Sequence, residues 1–172
     1  MNERLQHLPL ARASGLAALG FTLALTTTAL AASATPSGSF LTADLPGTAE
    51  DVSGVRDTIV GDIKHNTLSS ESGAAELSIT ATQLPGVVTA VTTDNMLYRK
   101  ARRELVGNYD GKVVGWSECK HAGYACRMLR YDTDDGRHGM ARLYLSDDVL
   151  VVVNAVYGED KAVARKFLAS AG

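Results

Sequence analysis

The pattern of hydrophobic and polar positions predicts that most of the chain is a β-rich domain. In the segment 76–82, Leu77, Ile79 and Ala81 alternate with polar residues, which is typical of a half-buried strand. The run 149–153 is continuously apolar and rich in valine, as expected for a central strand that is covered on both faces. The segments that we predict to be extended are 40–47, 52–59, 63–68, 76–82, 112–118, 125–131, 139–145 and 149–157.

Two amphipathic helices are predicted among these strands. The first covers residues 94–106, where Leu97, Ala101 and Leu105 recur on one face and Thr93 or Asp94 can cap the first turn. The second begins after Glu159 or Asp160. Its apolar face is formed by Val163, Ala164, Phe167 and Leu168.

Short connections between the extended segments define the fold class. The serines between residues 69 and 72, with Gly73, predict one turn, and Asp135-Gly136 predicts a hairpin turn. Connections of this length imply an antiparallel sheet, and the two helices must cover its faces. We therefore expect an α+β fold, with an antiparallel β-sheet of about six or seven strands covered by two main helices in an α/β/α sandwich.

The N-terminal segment has the pattern of an export signal. Arg4 and Arg12 precede an uncharged stretch at 13–34, which ends in two overlapping Ala-x-Ala sites. We interpret residues 1–34 as a signal peptide cleaved after Ala31 or Ala34. Residues 35–39 then form a flexible lead, and 40–172 form a single domain. An uncleaved membrane anchor is the alternative, since the stretch is long enough to span a bilayer.

Composition and charge exclude several classes of protein. The 172 residues are 45% hydrophobic, and 17 basic against 19 acidic residues give a net charge of −2. These values exclude a disordered acidic tail and a polytopic membrane protein. They also exclude a strongly basic nucleic-acid-binding protein, so we expect no nucleic-acid partner.

The two cysteines are predicted to form a disulfide. Cys119 and Cys126 flank the turn at 120–125, so they lie on facing strands, where Cα atoms are roughly 4.5–5.5 Å apart. Export would deliver them to an oxidising compartment. His121 also lies in this segment, and reduced cysteines with a histidine could bind zinc or copper. The disulfide is the favoured interpretation, and we expect no metal.

A basic cluster on the first predicted helix is a candidate binding surface. It consists of Arg99, Lys100, Arg102 and Arg103. Such a cluster could contact an anionic protein, lipid headgroup or polymer. The alternative is that it forms only the solvated side of an amphipathic helix.

The sequence contains one weak likeness to a hydrolase motif. Gly115-Trp-Ser117-Glu-Cys119 approaches the nucleophile elbow, but its last position is cysteine and the next segment is a strand instead of a helix. No catalytic residue is therefore predicted. Only a cleft that unites His138, an acid and a nucleophile would favour an enzyme.

In its order of turns and apolar positions, the chain resembles the PsbP/Mog1-like superfamily, in particular its small exported bacterial members. The resemblance covers residues 40–170 and includes no catalytic motif. It is carried by Phe40, Leu45-Pro46-Gly47, Leu77-Ser-Ile-Thr, Leu84-Pro85, the helix at 97–105, Cys126-Arg-Met-Leu-Arg130, Gly136, Ala141-Arg-Leu-Tyr-Leu145, Val149-Leu150, Val153-x-Ala155-Val156-x-Gly158 and Ala164-Arg-Lys-Phe167-Leu168-x-Ser170.

The resemblance implies an α/β/α arrangement and a non-enzymatic, adaptor-like role. We expect an exported, periplasmic or secreted protein that acts as a binding or assembly-support module for an unknown protein or envelope partner, without a cofactor. The alternative is an extracytoplasmic carrier of a small ligand or metal that uses Cys119, His121 and Cys126. The role of the photosynthetic members at the oxygen-evolving complex is not carried over, because no metal-retention residue can be mapped onto this sequence.

Overall fold

The computed structural model describes residues 31–56, residue 58 and residues 61–172. Most of the predicted signal peptide, residues 1–30, lies outside these ranges. The strands are β1 (Ala31–Ala34), β2 (Ala43–Pro46), β3 (Glu50–Asp51), β4 (Gly54–Arg56), β5 (Ile63–Ser72), β6 (Ala75–Gln83), β7 (Lys112–His121), β8 (Tyr124–Asp132), β9 (His138–Ser146) and β10 (Val149–Tyr157). The helices are α1 (Gly86–Val91), α2 (Asp94–Gly107) and α3 (Lys161–Ser170).

Strands β3 to β10 form one sheet, in which every pairing within the described ranges is antiparallel. The strand order is β3-β5-β6-β10-β9-β8-β7, and β4 pairs with β5 beside this path. The valine-rich strand β10 lies at the centre, where Leu150, Val151 and Val153 are buried. The predicted antiparallel sheet is confirmed.

The two main helices cover opposite faces of the sheet. This is the result of the strand pleat, which directs successive side chains to opposite sides. Leu97, Tyr98 and Ala101 of α2 pack on one face, and Ala164, Phe167 and Leu168 of α3 pack on the other. The sheet residues beneath α2 include Leu129, Tyr131, Ala141, Leu143, Leu150 and Val156. Those beneath α3 include Leu77, Ile79, Tyr144, Val151, Val153 and Ala155.

The sheet differs from the expectation in its number of strands and in one turn. It has eight strands, because the segment around residues 50–56 contributes the two short strands β3 and β4. The predicted turn is present at Gly73, which has a φ of 61°, but it does not include the serines between 69 and 72. Strand β5 continues through Ser72, which lies opposite Ala75 of β6. The hydrogen-bond ladder with β6 therefore overrides the turn preference of serine.

A short helix and a second small sheet were not expected from the pattern. Helix α1 follows Pro85 and is only six residues long, and its three valines favour a strand, so its sequence gives no helical signal. Strand β1 pairs with β2 in a separate two-stranded sheet, which places the last four residues of the predicted signal peptide in a strand. Residues 35–42 join the two strands, and within the predicted lead at 35–39 the Asn66 amide donates to the carbonyl oxygen of Ser37 at 2.8 Å. Among the described helices, none is long and apolar enough to cross a membrane.

Candidate functional site

The structure separates the four residues of the predicted basic cluster into two groups on α2. Arg99, Lys100 and Arg103 are exposed, and none forms an ion pair with another described residue. Arg102 is half-buried, with its guanidinium carbon 5.2 Å from the centroid of the Trp116 ring on β7. This is the geometry of a cation–π contact. Three of the four cations are therefore free to meet a partner, and the fourth packs on the sheet.

Helical geometry places the three free cations on one side of α2. At 3.6 residues per turn, Arg99, Lys100 and Arg103 fall within an arc of roughly 100°. Leu97 and Ala101 are buried on the opposite side, against the sheet. The burial of the apolar side of α2 thus fixes the direction in which the cations project.

Exposed apolar side chains occur on α2 and on α1, the helix that precedes it. Met96 falls in the arc of the cations and is 59% exposed, while Val87 and Val91 of α1 are 52% and 78% exposed. Only residues 92 and 93 separate α1 from α2. Exposed apolar side chains beside cations are typical of a surface that docks on a partner. We call this surface the docking face; it consists of Val87, Val91, Met96, Arg99, Lys100 and Arg103.

The predicted disulfide between Cys119 and Cys126 is present. The two residues lie directly opposite each other in the β7–β8 ladder, with Cα atoms 4.9 Å apart. The His121 ring lies beside them, with its Nε2 atom 2.7 Å from the carbonyl oxygen of Ala171. The corner holds no free thiolate for a metal, because both sulfurs are oxidised. No group of three or more His, Cys, Asp or Glu side chains in the described ranges could hold a metal ion.

A cleft of about 460 Å³ lies where β8 ends and α3 begins. Asp132 and His138 meet there as partners in the β8–β9 register, and the Nδ1 atom of His138 donates to Oδ1 of Asp132 at 2.7 Å. The residues that line the cleft include no serine, threonine or cysteine. Ser117 lies within strand β7 and not at a strand-to-helix turn. The cleft therefore brings a histidine and an acid together without a serine, threonine or cysteine.

Sequence reasoning did not identify this cleft or the apolar part of the docking face. The pairing of Asp132 with His138 was predictable from the sequence, because the two residues flank a hairpin turn and residues at equal distances from such a turn face each other. The approach of α3 to the same place depends on packing of the whole sheet. The exposure of the valines of α1 could not be predicted, since the helix itself was not expected.

Comparison with solved structures shows the fold of the chain. No protein-family model matches it, and no curated protein matches it in sequence. The solution structure of cyanobacterial PsbP (CyanoP) from Synechocystis sp. PCC 6803 matches with a TM-score of 0.55 at 14% identity, covering 95% of this chain and 98% of that chain. A Pseudomonas aeruginosa protein of unknown function, PA94, matches with a TM-score of 0.39 at 12% identity, over 66% of this chain and 88% of that chain. The first match shows a PsbP-like fold, as the sequence resemblance implied.

Proposed function

We propose that the protein is an exported, non-catalytic binding module that attaches to the anionic surface of a membrane through its docking face. The observation that carries the proposal is the occurrence of three unpaired cations and three exposed apolar side chains on two consecutive helices of the described chain. The non-catalytic part is supported by a cleft in the described chain that holds a histidine and an acid without a serine, threonine or cysteine beside them.

An anionic membrane supplies both interactions that the docking face can make. Lipid phosphates attract lysine and arginine, each of which contributes about 1 kcal/mol near such a surface. Transfer of valine and methionine side chains from water to the boundary between headgroups and acyl chains lowers the free energy. The chain as a whole carries a net charge of −2. Attachment therefore requires the orientation that turns α1 and α2 towards the lipid.

This orientation leaves the other side of the molecule available. Helices α2 and α3 cover opposite faces of the sheet, so attachment through α2 directs the α3 side away from the membrane. A second partner could bind there while the docking face stays occupied. The arrangement suits a module that supports the assembly of other components at a membrane.

Removal of two cations is expected to weaken binding to anionic vesicles. The variant Lys100→Gln/Arg103→Gln loses about 2 kcal/mol of attraction, which corresponds to a roughly thirtyfold weaker affinity. Cosedimentation with vesicles that contain phosphatidylglycerol measures the effect. The matched control is Lys64→Gln/Lys120→Gln, which removes two exposed cations from β5 and β7 and should bind as the unmodified protein does.

The apolar half of the docking face provides a second arm of the same experiment. Val87→Ser/Val91→Ser should also weaken vesicle binding, whereas Val55→Ser, at a site that is 62% exposed on β4, should not. Equal binding to phosphatidylglycerol and phosphatidylcholine vesicles would contradict an anionic membrane as the partner. Cross-linking of the docking face to an acidic envelope protein, without vesicle binding, would assign this face to a protein partner instead.

Export is expected to leave a mature chain that begins at Ala32 or Thr35. Cleavage at either site is compatible with the fold, because three of the four residues of β1 are exposed and Ala34 is only half-buried. Intact-mass analysis of protein purified from the cell envelope identifies the first residue. Purified protein that retains Met1 would contradict cleavage.

A further inference from the structure

We propose that the cleft at the start of α3 binds the carboxylate group of a small organic anion. The principal donors are Arg130 and Tyr157, with Lys161 at the rim. The site goes beyond the docking function, since Tyr157 belongs to the core beneath α3 and the docking face lies on the side of α2.

Arg130 supplies a guanidinium at a fixed place. It is exposed on β8 and forms no ion pair with another described residue. Its guanidinium lies against Gly115 of β7, where an added Cβ would be 2.8 Å from Nε and 2.9 Å from Nη2. The β7–β8 register shifts between Val113 and Gly115, and such bulges often redirect side chains. The bulge and the glycine together make room for the guanidinium beside the cleft.

Tyr157 supplies a hydrogen-bond donor that lacks a partner among the described residues. It lines the cleft and is 6% exposed, and its hydroxyl bonds to no other residue in the described ranges. Burial raises the pKa of Tyr157, while Arg165 and Arg130 oppose the rise. The phenol therefore keeps its proton at neutral pH. The hydroxyl is open to the cleft, where it can donate to a bound carboxylate.

The charged groups that line the cleft are equal in number. Arg130 and Lys161, the first residue of α3, are the cations, and Asp132 and Glu159 are the acids. Asp132 accepts a hydrogen bond from His138, whereas Arg130 forms no ion pair with another described residue. Recognition of an anion therefore depends on the guanidinium of Arg130.

A carboxylate fits these groups better than other anions do. It is planar and can accept two parallel hydrogen bonds from a guanidinium, with lone pairs left for the tyrosine hydroxyl. Val114 and the tyrosine ring offer apolar contact to the rest of the ligand. The volume of about 460 Å³ suits a small molecule. We therefore assign the site to a small organic acid with an apolar body.

Benzoate is a suitable probe, and benzamide is its uncharged counterpart of the same shape. Titration followed by NMR should show saturable benzoate binding that shifts the signals of Arg130 and His138, and no such binding of benzamide. Arg130→Gln should weaken benzoate binding roughly tenfold or more. Tyr157→Phe should weaken it about threefold to tenfold. Because the hydroxyl has no partner in the described chain, Tyr157→Phe should leave the melting temperature unchanged.

A matched variant distinguishes the cleft from the docking face. Arg99→Gln, which removes a cation from the docking face, should bind benzoate as the unmodified protein does. The proposal is overturned if benzoate does not bind saturably, if benzamide binds equally well, or if Arg130→Gln has no effect. Inorganic phosphate that binds as tightly as benzoate would overturn the assignment to an organic carboxylate. A large loss of stability in Tyr157→Phe would make that hydroxyl a structural group.

Discussion

Replacement of Gly139 by alanine is expected to destabilise the protein by about 3 kcal/mol or more, the sum of core overpacking and a weakened buried hydrogen bond. Gly139 lies opposite Tyr131 in the β8–β9 ladder, and a Cβ at this position would overlap the Tyr131 ring. The ring is fully buried, and its hydroxyl donates to Oδ1 of Asn154 at 2.9 Å. It cannot move aside without breaking this hydrogen bond and disturbing the core beneath α2.

Urea denaturation compares Gly139→Ala with a matched control. Gly158→Ala adds the same methyl group at a position where no atom lies within 4 Å and the backbone is not left-handed, so its stability should change little. If Gly139→Ala stays within about 1 kcal/mol of the unmodified protein, the close packing of Tyr131 on Gly139 does not limit stability.

Removal of the disulfide is expected to cost about 2–3 kcal/mol of stability. The bond closes a loop between cysteines seven positions apart and joins β7 to β8 near their shared turn. Its main effect is to restrict the unfolded chain, so the loss should appear mainly in the equilibrium between folded and unfolded protein. Urea denaturation of Cys119→Ala/Cys126→Ala measures it, and alanine avoids placing a hydroxyl at the buried position 126.

Reductant provides the control for this variant. The unmodified protein should lose a similar amount of stability in dithiothreitol, whereas the double variant should not respond to the reductant. Equal stability of the oxidised and reduced protein would contradict a stabilising role. A disulfide of this kind also fits the proposed export, because disulfides persist in oxidising compartments and are rare in the cytosol.

Local periodicity was sufficient for the main elements of the fold. The alternation in β6, the valine run in β10 and the apolar faces of α2 and α3 each repeat over several residues, so burial on one side leaves a readable pattern. The disulfide was predictable for a related reason, since residues equally distant from a hairpin turn face each other. These features depend on neighbours that are close in the sequence.

Elements whose local sequence favours another structure could not be predicted in the same way. The serines of β5 resemble a turn, and only the ladder with β6 holds them in a strand. Helix α1 is six residues long and rich in valine, so its local sequence favours a strand over a helix. Arg102 carries the same charge as the other three residues of the predicted cluster. Only its contact with Trp116 distinguishes it from them. In each case, a partner from another element decides the outcome.

The order of residues was enough to specify the antiparallel sheet, the two covering helices, the paired cysteines and the presence of basic residues on α2. Packing of the folded chain was needed to establish which cations are free, which valines stay exposed beside them, and that Arg130, Tyr157 and Lys161 converge on one cleft. Secondary structure follows from burial patterns repeated within a short segment, whereas a binding surface depends on distant segments that meet only when the sheet and helices pack.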